Sequence, residues 1–454
     1  MNIAIIGTGY VGLTTGACLA LLGHKVHCLD ADSNKIQQLQ RGEAPFFEPY
    51  LEDILAEAKP NLCFTTDYAH AVPQAEVVFI AVGTPSTADG TPDLKYLKAS
   101  ARSIGENLGN HFTVIVNKST VPIGSGNWVG SLVRTAFECR NGSRPPDGTF
   151  AVASNPEFLR EGSALGDSLY PDRVVIGSDD PKTANVLYNL YRPILEQSFL
   201  APGYLPRPNS IQAVPLISTD LASAELIKYA ANAFLSLKIS YINEIGQLVE
   251  KVGADINQVA KGIGLDARIG ARFLQAGIGW GGSCFGKDTA ALVSTAAEYG
   301  LDLQIVKAAR AVNRRQRERV VEKLLGELKI LKGRTIGLLG LAFKPDTDDL
   351  RDAPAIDIAR RLIERGARVK VHDPIAMDRF RKENPELDVI CCDTPQELAE
   401  DTDALVLVTE WNQYRELRWE ELATTVNIPL VLDGRNVLDP ERLQRAGFRY
   451  LTIA

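Results

Sequence analysis

The sequence predicts an α/β protein with two Rossmann-like lobes joined by a central helical region. Three observations lead there. Short apolar runs alternate with helix-like segments from Asn2 to Ala153. A glycine turn, Gly7-Thr8-Gly9-Tyr10-Val11-Gly12, follows the first run. The same alternation returns between Thr335 and Leu432. Strands alternating with helices are the pattern of a parallel sheet covered on both faces.

In chain order, residues 2–6 read as a strand and the small-residue stretch to Leu22 as a helix. Lys25 to Leu29 is a second strand ending at Asp30. Val77–Val82, Thr113–Asn117 and Phe150–Ala153 are further strands. Leu200 to Pro215 is proline-rich and reads as loop. A helix starts near Asp220, with Leu221, Ala224, Ile227, Lys228, Ala231 and Leu235 at helical spacing. Helical character then continues, with interruptions, to about Arg319. In the second lobe, Thr335–Leu339, Val369–Val371, Ala404–Val408 and Leu430–Leu432 read as strands and Ala355–Arg365 as a helix. Domains are expected over 1–205, 206–318 and 319–454.

A chain of 454 residues exceeds one core. Its formal net charge of −7 argues against a nucleic-acid partner. No apolar run is long enough to span a membrane, and no Lys or Arg precedes Lys25 to make the basic start of a signal peptide. The seven cysteines are scattered without a CxxC pair, so neither a metal site nor a disulfide framework is expected, and a reducing compartment is.

The glycine turn points to a dinucleotide because of its context: a strand before it, a helix after it, and an acid at the end of the next strand. Gly7 permits the tight turn, Gly9 lets backbone approach a pyrophosphate, and Gly12 allows close helix packing. Asp30 suits a ribose diol and would repel a 2′-phosphate, which favours NAD over NADP.

The segment Gly277-Ile278-Gly279-Trp280-Gly281-Gly282-Ser283-Cys284-Phe285-Gly286-Lys287-Asp288 surrounds a cysteine with glycines and charge. Six of the cysteines fit the usual role of small buried apolar residues. Cys284 reads instead as a nucleophile. The glycines would admit a ligand, Lys287 would favour the thiolate, and Asp288 would orient water or a cation. Ser283, its neighbour, is expected to point elsewhere. Lys228 and Asn232, four apart on a helix, are two donors that could hold a developing alkoxide.

With these residues in hand, the chain resembles the UDP-glucose 6-dehydrogenase family over nearly its whole length. The motifs stand in the family's order. They are the glycine turn, Val82-Gly83-Thr84-Pro85, Lys118-Ser119-Thr120-Val121-Pro122, and Asn155-Pro156-Glu157-Phe158-Leu159-Arg160-Glu161-Gly162. Ala224 to Asn232, the cysteine segment, Gly340 to Arg351 and Asp433-Gly434-Arg435 complete the set.

The resemblance implies a four-electron oxidation of UDP-glucose to UDP-glucuronate through a Cys284 thiohemiacetal and thioester. Lys228 and Asn232 would stabilise oxyanions, while Thr120, Glu157 and Asp288 would position water and share proton transfer. Gly7, Gly9, Tyr10, Val11, Gly12, Asp30, Lys35, Thr84, Thr120, Glu161, Lys287 and Arg351 would contact NAD. Glu157, Phe158, Leu159, Arg160, Lys228, Asn232, Phe273, Leu274, Gln275, Ala276, Gly277, Gly281 and Lys344 would line the nucleotide-sugar site. Arg268 would reach a substrate in a partner subunit, so the helical region is expected to dimerise. A cytoplasmic homodimer without metal follows.

The alternatives are a dehydrogenase of GDP-mannose or of a UDP-N-acetylhexosamine, an enzyme like 6-phosphogluconate dehydrogenase, and an NAD-sensing regulator. Segments 141–148 and 200–215 look like departures from the family.

Overall fold

The computed structural model describes residues 1–85, 87 and 91–453. The chain divides into two compact units, Met1–Ala230 with Ala290–Glu298, and Ala231–Thr289 with Tyr299–Ala454.

The first unit holds an eight-stranded sheet. Its strands are β1 (Asn2–Ile6), β2 (Lys25–Leu29), β3 (Leu62–Thr65), β4 (Val77–Ile80), β5 (Thr113–Asn117), β6 (Phe150–Ser154), β7 (Val174–Gly177) and β8 (Leu216–Thr219), in the order 3-2-1-4-5-6-7-8. Every pairing is parallel except β6 with β7, which meet antiparallel at Ser154 and Gly177. The period of two along the strands sorts the side chains to two faces. Ile3, Ile5, Val77, Phe79, Val114 and Val116 enter one core, and Ala4, Ile6, Val78, Ile80 and Ile115 the other. Both faces are covered, which is why β4 and β5 read as unbroken apolar runs.

The second unit holds a six-stranded, fully parallel sheet. Its strands are β9 (Thr335–Leu339), β10 (Arg368–His372), β11 (Ile390–Cys391), β12 (Ala404–Leu407), β13 (Leu430–Asp433) and β14 (Arg449–Thr452), in the order 11-10-9-12-13-14.

Between the sheets in sequence lie the helices Leu221–Val252, Ile256–Gly264, Phe285–Glu298 and Gln304–Leu328. The first starts where expected, with Asp220 accepting the N–H of Ser223 at 2.8 Å. The last runs nine residues past Arg319, because no Pro interrupts it before Lys329 closes it in the left-handed conformation. The predicted strands and the helix Pro354–Glu364 fall within two residues of expectation. Segment 200–215 is irregular, and 141–148 is a turn after the helix Ser125–Asn141, closed by Gly142 at φ 71°.

Candidate active site

The first turn of β1 behaves as its glycines require. Gly7 has φ 99° and its N–H reaches Leu29 O at 2.7 Å. A Cβ on Gly12 would lie 1.9 Å from Gly7 O, so the helix Tyr10–Leu21 can start against the turn only with glycine there. A Cβ on Gly9 would meet nothing within 4 Å. That open space lies at the helix N-terminus, where an anion is favoured. Tyr10 packs on Phe46 with ring centroids 3.9 Å apart and a tilt of 34°.

Asp30 accepts the N–H and hydroxyl of Thr8 at 2.9 and 2.7 Å, the N–H of Asp32 at 3.1 Å, and Lys35 Nζ at 3.3 Å. Burial works against its charge, yet these hydrogen bonds and Lys35 hold the carboxyl below its ordinary range. Together the open backbone at Gly9, the helix terminus and a charged acid at the next strand end fit a dinucleotide.

Thr84 and Thr120 are joined, the Thr84 hydroxyl donating to Thr120 O at 2.9 Å. Glu161 is buried in the loop after β6. Glu48, which sequence reasoning missed, fixes that loop by accepting the N–H groups of Gly162 and Ala164 at 2.6 and 2.7 Å.

In the same unit Lys228 Nζ lies 2.8 Å from Glu157 Oε1, with both side chains buried. The other Glu157 oxygen accepts Leu159 N–H at 2.9 Å. Phe158 carries the Arg173 guanidinium over its ring at 3.7 Å, and Arg160 forms a two-pronged pair with Asp167. Glu225, one helical turn before Lys228, accepts Gly124 and Gly126 N–H at 2.6 and 2.9 Å. It thereby fixes the loop that follows Thr120. That role had no sequence signal beyond an acid in an apolar helix.

The second unit holds the cysteine segment. Cys284 directly precedes the helix Phe285–Glu298, and its carbonyl accepts Asp288 N–H at 2.8 Å. A thiol at a helix N-terminus is one whose anion the helix favours. Asp288 is fully buried. One oxygen takes the Asn232 amide at 2.6 Å and the other takes Lys287 Nζ at 2.6 Å. Lys287 is therefore directed to Asp288.

One expectation is corrected here. Ser283 does not point away: its hydroxyl is 3.6 Å from Cys284 Sγ, since both lie in the turn leading into the helix. Three of the glycines also admit the protein's own atoms. A Cβ on Gly277 would meet Gly434 O at 2.5 Å, one on Gly281 Asp352 O at 2.5 Å, and one on Gly282 the Phe343 ring at 2.7 Å.

This packing is fastened by three residues no motif flagged, Asn243, Gln316 and Asn313, and by the Asp433-Gly434-Arg435 motif. Asn243 accepts Gly277 N–H at 2.8 Å, Gln316 donates to Gly277 O at 2.8 Å, and Asn313 accepts Trp280 N–H at 2.8 Å. Arg435 donates to Val408 O at 2.7 Å and Gly279 O at 3.1 Å. Its loop is set by buried Asp433, which accepts the N–H groups of Arg435, Asn436, Val437 and Leu438.

Around this segment, Phe273 has φ 66° and meets Phe285 edge-on, Leu274 and Ala276 are buried, and Gln275 is exposed. Lys344 lies 5.6 Å from the Phe343 ring, and Arg351 grips Asp349 with two nitrogens. Arg268 is 89% exposed and paired with Asp266. Lys287 and Arg351, expected at NAD, belong to this second unit. Among the described residues no group of acids, histidines and cysteines could hold a metal, and no helix is long and apolar enough to cross a membrane.

The fold and these residues define a nucleotide-binding protein with two Rossmann-like sheets and a partly buried cysteine just before a helix. The chain belongs to the UDP-glucose/GDP-mannose dehydrogenase family. That family's NAD binding domain matches residues 1–195, its central domain 222–315 and its UDP binding domain 337–440. The UDP-glucose 6-dehydrogenase TuaD of Bacillus subtilis is 44% identical, covering 100% of this chain and 93% of its own. The UDP-glucose 6-dehydrogenase of Rhizobium meliloti is 45% identical, covering 100% and 99%. Among solved structures, a UDP-glucose dehydrogenase from Pyrobaculum islandicum superposes with a TM-score of 0.88 at 38% identity, covering 100% and 97%.

Proposed function

We propose that the protein oxidises the C6 alcohol of UDP-glucose to a carboxylate in two successive steps, using NAD. The observation that carries this is Cys284 at the start of its helix, with the Asn232–Asp288–Lys287 cluster on the turn behind it. NAD, bound at the Gly7–Gly12 turn, supplies the hydride acceptor for each step.

The chain's own residues do the rest. Lys228, anchored on Glu157, brings an ammonium to the oxygen at C6. Asn232 has two amide hydrogens, so one can serve Asp288 and the other an oxyanion. The Cys284 thiolate attacks the aldehyde carbon, and the oxygen becomes the thiohemiacetal hydroxyl. Loss of a hydride from that carbon and a proton from that oxygen gives a thioester. Water then attacks, releasing the acid and restoring the thiol. Thr120, Glu157 and Asp288 position the water and share the proton transfers. The covalent bond keeps the aldehyde in place between the two oxidations.

The same reading assigns Tyr10, Val11, Lys35, Thr84, Glu161, Lys287 and Arg351 to NAD. It assigns Phe158 to Arg160, Phe273 to Gly277, Gly281 and Lys344 to the nucleotide sugar, and it keeps the three-domain division at 205 and 318. It also makes the protein a homodimer in the cytoplasm. Phe234, Tyr241 and Leu248, each at least half exposed, recur every seven residues on the helix Leu221–Val252, and such a stripe suits a second copy. A catalytic thiol suits a reducing compartment.

The test is a panel of nucleotide sugars followed by absorbance of NADH. UDP-glucose is expected to give the highest kcat/KM. A preference for GDP-mannose or a UDP-N-acetylhexosamine would overturn the substrate assignment.

A further inference from the structure

The helix Gln304–Leu328 grips the cysteine segment at successive points, and one of its residues, Arg310, has no part in the reaction as assigned above. Gln316 donates to Gly277 O at 2.8 Å. Asn313 accepts Trp280 N–H at 2.8 Å and donates to Trp280 O at 3.0 Å, and Arg317 Nη2 donates to the same carbonyl at 3.1 Å. Arg310 Nη1 donates to Gly286 O at 2.6 Å and to Thr289 Oγ1 at 2.8 Å. Buried Thr289 in turn donates to Phe285 O at 2.6 Å. Residues 310, 313 and 317 are three and four apart, so they share a helix face. The later helix residues hold the earlier residues of the segment, so helix and segment run in opposite directions.

Cys284 lies between two of these grips. Trp280 is four residues before it and Gly286 two after. The Trp280 and Phe285 rings meet edge-on, their centroids 5.9 Å apart. Fraying starts at the end of a helix, where N–H groups lack partners within the helix. Fraying at Phe285 or Gly286 would carry Cys284 with it. Arg310 ties that first turn to the same helix that holds Trp280, so both sides of Cys284 have one support.

We propose that Arg310 is a positioning residue for the thiol, holding the first turn of the Cys284 helix so that the aldehyde is captured before it leaves. The proposal rests on the assignment of Cys284 as the nucleophile. Arg310 acts through the turn and is assigned no contact with a reacting atom. The first oxidation needs no thiol. Capture needs the sulfur within reach of the aldehyde carbon, and a misplacement of about 1 Å can cost on the order of a hundredfold. Loss of Arg310 should therefore let aldehyde escape rather than stop turnover.

The experiment runs UDP-glucose with excess NAD in the presence of O-methylhydroxylamine, which traps free aldehyde as its oxime. Products are quantified by mass spectrometry for wild type, Arg310→Met, Arg310→Lys, Thr289→Val and Cys284→Ala, with melting curves for each. Each trapped aldehyde accounts for one NADH and each acid for two. Wild type is expected to give acid with little oxime. Arg310→Met should raise the oxime share about tenfold or more. Both Arg310 hydrogen bonds come from one nitrogen, and a lysine ammonium has donors for both. Arg310→Lys should therefore bring the share most of the way back. Thr289→Val removes one of the two contacts at nearly constant size, so its share should fall between wild type and Arg310→Met.

A lowered Tm with an unchanged oxime share would make Arg310 a packing residue and overturn the proposal. So would an unchanged share at wild-type Tm, or a lysine variant that leaks as much as the methionine one. If Arg310→Met does not fold, Thr289→Val carries the same test, and an unchanged share there overturns the proposal. Acid formed by Cys284→Ala at the wild-type rate would instead overturn the nucleophile assignment beneath it.

Discussion

Cys18 and Cys284 show one residue type put to two uses. Cys18 is sealed inside the first unit, where burial pushes its thiol up to about 12 and keeps it inert. Cys284 is only partly buried and precedes a helix. Cys284→Ala is expected to fold and bind NAD as wild type does, since alanine is smaller and buries no new polar group. Acid formation should be lost while slow aldehyde formation survives. Mass spectrometry of products, with melting curves with and without NAD, checks this. Ser283 sits close enough to be a substitute nucleophile by distance, but a hydroxyl near neutral pH is far weaker than a thiolate. Uronic acid formed at near wild-type rate by the variant would make Cys284 structural. Cys284 and Asp30 were singled out in the sequence by their neighbours in the chain, and Lys228 by its spacing to Asn232. Glu48, Glu225 and Asn243 were not, since each acts on a backbone segment far away in sequence, and only the fold brings the two together.

Among the elements, the first glycine turn allows two substitutions to be told apart. Gly9 has φ −79° and ψ −171°, open to any residue, and no atom lies where its Cβ would go. Gly9→Ala should fold with stability within about 1 kcal/mol of wild type, yet lose NAD affinity at least roughly tenfold, because the methyl occupies the space a pyrophosphate needs. Gly12→Ala drives a Cβ into Gly7 O and should cost about 1–3 kcal/mol or more before any ligand is considered. Urea melts with and without NAD separate the two. Strands buried on both faces, such as β4 and β5, were legible as continuous apolar runs. β3 and β8 were not, being four residues long and partly exposed at the far end of the sheet order from the core pairs. The glycines beside Cys284 were read as ligand space. Spacing cannot show that Gly434, Asp352 and Phe343, each 61 or more residues further along the chain, pack against Gly277, Gly281 and Gly282.

At the scale of the whole molecule, the two sheets use one device twice. Gly7 and Gly340 have φ 99° and 102°, and each N–H reaches the carbonyl before the acid that ends the neighbouring strand. Asp30 and Asp373 both accept N–H groups from the turn after the first strand of their sheet. They differ in what else they hold. Asp373 is buried and also takes the Trp411 indole and the N–H groups of Ile375 and Ala376, so it is spent on structure. Asp30 stays at the edge with Lys35. The alternating pattern made both lobes legible, but nothing in it distinguished an acid paired with a nearby lysine from one spent on the turn's backbone.

In the proposed mechanism one chain carries the sugar through both oxidations without releasing the aldehyde. It is tested most directly by end-point NADH absorbance against limiting UDP-glucose with NAD in excess. Two NADH are expected for each UDP-glucose consumed, with UDP-glucuronate as the product; a ratio of one, with free aldehyde in solution, would overturn the proposed mechanism.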